Sequence, residues 1–153
     1  MALKGLSHRH ETSMDYILDR AAEPGTVVVA SGVAGKVDVV AADQIGVSGI
    51  YPMGVLLNTR EAFNYAKELE RFSYDTDDIG TVVTLLRRGE LTTDLVVENG
   101  GSIVPGAPAF LAPDGKLGNA DLSVDTDGHS QRVGQFMSAV DADGYATVRI
   151  ELQ

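Results

Sequence analysis

The chain has 153 residues, 44% of them hydrophobic, no cysteine and a formal net charge of −10. That is enough apolar material for one domain with its own core, and it excludes disulfide staples and thiolate zinc sites. The acidic balance argues against a nucleic-acid partner, since phosphate binding needs clustered Lys and Arg, and no apolar run approaches the roughly 20 residues that cross a bilayer.

The charge is uneven along the chain. Residues 1–14 carry Lys4, Arg9 and Glu11, a net +1, which leaves −11 on the other 139. A slightly basic stretch containing Gly and Ser ahead of an acidic body predicts an extended, flexible N-terminal arm over 1–14 and a single β-rich domain over 15–153. The opening MALKGLSHRH has no apolar core after its positive charge, so it is not read as a secretory signal, and a soluble protein inside a cell is expected.

Beyond the arm, strands are predicted at 16–20, 26–31, 36–41, 53–58, 80–89, 90–97, 107–112, 132–140 and 145–152. Each is rich in Val, Ile, Thr or aromatics and bounded by turn-forming residues. Short strands at such regular spacing predict an all-β fold, a compact sandwich or a small barrel. One segment breaks the pattern: in NTREAFNYAKELERF (58–72), Asn58 or Thr59 can cap a helix whose stripe is Ala62, Phe63, Ala66 and Leu69. One short helix is therefore expected.

A repeat is also visible. Gly35-Lys36-Val37 and Gly115-Lys116-Leu117 stand 80 residues apart, and so do Gly54 and Gly134. Upstream, Pro24-Gly25 precedes TVVVAS as Pro105-Gly106 precedes APAFLA, with a one-residue gap. The order in both is Pro-Gly turn, strand, Gly turn, polar stretch, Gly-led strand, so about 24–58 and 105–138 read as one β unit used twice, packing its apolar faces together.

Chemistry is thinly supplied. The histidines are His8 and His10 in the arm and His129 in the polar DTDGHSQ loop, and no strand-turn-helix elbow presents a serine. His8 and His10 could share a metal with a third ligand, but a solvated pair is the commoner outcome. DTDG (125–128) and DADG (141–144) resemble the start of calcium loops, yet DADG runs directly into YATVRIEL with no twelfth-position glutamate. Asp143-Gly144 is read instead as a tight hairpin turn, and SYDTDD (73–78) as a solvated acidic loop. No catalytic, cofactor-binding or metal-binding residues are assigned.

MALKGLSHRH, PMGVLLNTREAFNYAKE, VVTLLRRGELTTD and VGQFMSAVDADGYATVRIEL, taken in order, resemble the capsid decoration (cement, or head-stabilising) proteins of tailed bacteriophages. The similarity runs over nearly the whole chain and is most specific at GVLLNTR (54–60) and DADGYATVRIEL (141–152). It implies a noncatalytic virion protein, made in the host cytoplasm, that sits on the outer capsid surface, commonly as homotrimers, binds the major capsid protein and resists the pressure of packaged DNA. On that basis the arm residues Leu3, Lys4, Leu6, His8 and Arg9 are expected to bind the shell: the leucines fill shallow pockets and Lys4 and Arg9 meet acidic groups. Phe63, Tyr65, Arg87 and Arg88 are candidate interface residues, although 58–72 could equally cover the core, and Arg87-Arg88 could be a solvated hairpin tip beside Gly89. No heptad pattern signals trimerisation. Two alternatives remain open. A virion-surface carbohydrate- or receptor-binding β module would need an aromatic platform, which a chain with no Trp, five Tyr and four Phe provides sparsely. A hydrolase would use His129 with Asp125 or Asp127.

Overall fold

Val- and Leu-rich runs such as TVVV and GVLL are continuous rather than alternating, the pattern of strands covered on both faces. The computed structural model describes residues 3–6, 11–45, 50–60, 82–122 and 131–152. In it these runs join one continuous sheet, and the fold is all-β. The strands are β1 (Leu3–Leu6), β2 (Glu11–Leu18), β3 (Val27–Ala30), β4 (Lys36–Val39), β5 (Pro52–Arg60), β6 (Val82–Thr93), β7 (Val96–Val97), β8 (Pro108–Leu111), β9 (Leu117–Gly118), β10 (Arg132–Phe136) and β11 (Ala146–Glu151). Single 3-10 turns lie at Ala42–Gln44 and Pro113–Gly115.

The sheet closes on itself twice. β2 pairs with both β4 and β6, so β2-β4-β3-β5-β6 form a ring, barrel 1. β6 is long enough to serve again. Its residues Val82–Leu86 lie between β5 and β2, whereas Leu91–Thr93 lie between β11 and β1. Gly89, with φ 143°, marks the changeover. The second half of β6 runs along β11, and β7, which follows it, pairs in parallel with β9; with β8 and β10 these strands form barrel 2.

The two barrels match in register. Val27 faces Val55 and Val28 faces Gly54, as Pro108 faces Gln135 and Ala109 faces Gly134, and both ladders carry a bulge at the next step. Leu56 faces Leu85 as Phe136 faces Val148. Leu18 pairs in parallel with Val37 as Val96 does with Leu117. The turns agree bond for bond: Gly25 N donates to Leu56 O at 2.7 Å and Gly106 N to Phe136 O at 2.8 Å, while Lys36 N donates to Val33 O and Lys116 N to Pro113 O. The repeated unit is thus five strands, with β6 ending one copy and starting the next.

Each interior holds the same positions with different residues. Ala22, Val28, Val37, Leu56 and Leu85 fill barrel 1; Ile103, Ala109, Leu117, Phe136 and Val148 stand in the matching places of barrel 2. Where barrel 2 has the larger Phe136 in place of Leu56 it has the smaller Ala109 in place of Val28, an exchange of the kind close-packed cores tolerate. Outward-facing Val27, Val29, Val55 and Leu86 of barrel 1 are buried in the same cluster as the barrel 2 interior, so the barrels share a packed seam.

Three expectations change. Residues 3–6 and 11–14, expected as part of a loose arm, are strands on one edge of β6, so the folded body begins at β1 and not at residue 15. An edge strand presents a row of backbone donors and acceptors, and pairing satisfies them whatever the side-chain composition of the leader. Asn58, Thr59 and Arg60 continue β5 opposite Thr84, Val83 and Val82, so no helix starts there; a long-range ladder overrides the local capping signal. The remainder of that segment, 61–72, lies outside the described residues. Finally, 80–89 and 90–97 are not two strands meeting at a tip: β6 runs unbroken from Val82 to Thr93.

Candidate binding surfaces

The leader runs antiparallel along β6: Leu3 faces Thr93, Gly5 faces Thr92 and Leu6 faces Leu91, followed by Glu11 opposite Arg88 and Ile17 opposite Val82. Leu3, Lys4 and Leu6 therefore sit on a four-residue strand whose only partner among the described residues is β6. His8, Arg9, Phe63 and Tyr65 lie outside the described residues, as do His10, His129 and the acidic loops at 73–78 and 125–128.

Arg87 and Arg88 are not at a hairpin tip. They occupy the middle of β6, where it passes from barrel 1 to barrel 2; Arg87 O accepts from Leu152 N at 3.0 Å, and Arg88 is exposed and stands opposite Glu11 and Glu151 in the neighbouring strands.

Between the barrels a surface cleft of about 430 Å³ is lined by Arg20, Glu23 and Thr26 from barrel 1 and by Leu95, Asp114 and Lys116 from barrel 2, with Val39 and Val40 among its apolar residues. Its two cations and two anions oppose one another, so it focuses no field of one sign on a small ion. Arg20 leans toward Asp38, Nε to Oδ1 at 3.4 Å. Beside the cleft the Pro113–Lys116 turn packs tightly on β3: a Cβ on Gly115 would stand 2.6 Å from Val27 O. Asp114 in this turn has φ 60°, a conformation Asp tolerates better than most residues. Sequence reasoning missed Arg20, Glu23, Asp114 and Lys116. The signal that could have found them is the asymmetry of the repeated turn, PDGK in one copy and VAGK in the other.

Asp141 does structural work. Its Oδ1 accepts from Asp143 N at 3.0 Å and Tyr145 N at 2.8 Å, and Gly144 N donates to Asp141 O, so the carboxylate ties a turn between β10 and β11 as expected for the DADG stretch. Asp141→Ala removes both side-chain bonds and is expected to lower stability by about 1 kcal/mol, measured by urea denaturation. The loss should be the same with calcium and with chelator. Among the described residues no group of three His, Asp or Glu could hold a metal ion, and no helix is long and apolar enough to cross a membrane.

No protein-family model matches the chain, and no curated protein matches it.

Proposed function

We propose that the chain is a noncatalytic structural protein of a tailed-phage virion: it binds the outer capsid surface as a homotrimer, bridges major capsid subunits and stabilises the head against internal pressure. The collinear resemblance of its sequence to decoration proteins motivates this. Its main structural support is the leader, a strand added to the sheet at the chain's first residues by three register positions on β6.

A strand of this kind suits a bridging role. Its outer edge has no partner among the described residues, so a capsid strand can add to it and gain main-chain hydrogen bonds, with shallow pockets for alternate side chains supplying selectivity. Three such edges in a trimer bind at high effective concentration once the first has engaged. The net charge of −10 keeps decorated particles apart.

The test is deletion of residues 1–6, which removes β1 and leaves β2 to close barrel 1. The truncated protein is expected to keep its circular dichroism spectrum and to lose at least tenfold in co-sedimentation with phage heads assembled without it. Undiminished co-sedimentation overturns the leader's role. Cryo-electron microscopy of decorated heads that places the protein elsewhere than on the outer shell overturns the function itself.

A further inference from the structure

We propose that a second copy of this chain docks head to tail by repeating, between molecules, the junction that joins barrel 2 to barrel 1 within one molecule. This deepens the homotrimer part of the function proposed above and rests on it only for the number of copies.

Inside the molecule, one end of barrel 2 is pressed on the outer face of barrel 1. The turn Pro113–Lys116 backs onto β3 through Gly115, and Gln131 Nε2 donates to Ile50 O at 2.9 Å. Beneath this end, Val27 and Val55 are fully buried and Leu57 is packed into the shared cluster.

The register match carries each half of that junction to a second place. The end of barrel 1 that corresponds to the docking end of barrel 2 has the turn Val33–Lys36 in place of Pro113–Lys116, Ile17 in place of Leu95 and Tyr51 in place of Gln131. A Cβ on Gly35, the counterpart of Gly115, would meet nothing within 4 Å. The face of barrel 2 that corresponds to the covered face of barrel 1 has Val104 in place of Glu23 and Met137 in place of Leu57, with Leu122 two residues beyond Ala120, the counterpart of Val40.

Exposure falls on these two faces. Ile17, Val33 and Tyr51 are 37%, 54% and 44% exposed on the first, and Val104, Leu122 and Met137 are 55%, 38% and 37% exposed on the second. These six are the exposed large hydrophobics among the described residues. Single exposed apolar residues need no explanation, but two groups of three, on the two faces the fold already knows how to join, match a donor end and an acceptor face. A contact of this kind is heterologous, and three copies complete it as a closed ring when the rotation between them is a third of a turn.

The isolated protein, with no capsid present, tests this by sedimentation equilibrium. Wild type is expected at three times 16.2 kDa, and Val33→Asp on the donor end and Val104→Asp on the acceptor face are each expected at the monomer mass with unchanged circular dichroism. An equimolar mixture of the two variants retains one intact donor and one intact acceptor, so it is expected to form a dimer and stop there. A monomeric wild type, variants that keep the wild-type mass, or a mixture that stays monomeric each overturns the proposal. Should either variant fail to fold, Ile17→Lys and Met137→Lys apply the same test from neighbouring positions. Self-association of the predicted kind in a protein that fails to bind phage heads would leave this junction standing and remove the capsid function.

Discussion

Gly115→Ala is expected to lower stability by roughly 2–5 kcal/mol, and Gly35→Ala, at the same position of the other barrel, by only about 1–2 kcal/mol. Both glycines have positive φ, 70° and 76°, so both substitutions carry the cost of placing a Cβ in the left-handed region. Only Gly115 has a second cost: its Cβ would lie 2.6 Å from Val27 O, main chain that moves only if the seam between the barrels opens. At Gly35 the same Cβ enters open space. The difference between the two variants, read from urea midpoints at unchanged m-value, isolates the packing of one barrel on the other. Equal losses would mean that the seam accommodates the added Cβ without cost.

The same asymmetry bears on what the sequence revealed. The repeat was legible where backbone geometry demands glycine. Gly54 and Gly134 lie where strands cross closely, a Cβ on Gly54 meeting Leu85 Cβ at 2.7 Å and one on Gly134 meeting the Arg149 backbone, so their spacing survives although the neighbouring residues differ. It ceased to be legible after residues 58 and 138, because the connections that follow differ in length: Gly54 and Gly134 are 80 apart, but the next matched pair, Leu86 and Arg149, only 63. The equivalence of β2 with the second half of β6 and β7 is faint in sequence: ETSMDYIL (11–18) and ELTTDLVV (90–97) share Glu, a Ser or Thr, Asp and a closing apolar run, but at a spacing one residue off the pairing register, in which Ser13 faces Leu85 as Leu91 faces Val148. Double use of β6 also hid the boundary, since a strand that ends one unit and starts another leaves no linker to find. Charge and Gly content in the leader said nothing of the edge on β6 that receives it. Arg87 and Arg88 stand out in the sequence by their charge, which does not reveal that they lie mid-strand in β6, whereas Val33 and Val104 are ordinary turn residues until the two barrels are superposed in register.

Phe136→Ala is expected to cost roughly 3–5 kcal/mol, as for other fully buried aromatic truncations, and Phe136→Leu about 1–2 kcal/mol. Leucine is the residue that barrel 1 uses at this position, Leu56, so its shape fits the unit, and what it lacks in barrel 2 is volume. The missing volume has a known location. Phe136 is two residues along from Gly134, which faces Ala109, and an aromatic ring reaches such a diagonal neighbour; in barrel 1 the residue matching Ala109 is the larger Val28. Ala109→Val should therefore be destabilising beside Phe136, where it overfills the interior, and should recover part of the loss beside leucine. The double variant Ala109→Val with Phe136→Leu transplants the barrel 1 pair into barrel 2, and a favourable coupling of about 0.5–1 kcal/mol is expected in the double-mutant cycle. Additive or antagonistic losses would show that the two interiors are filled by different rules despite their common register.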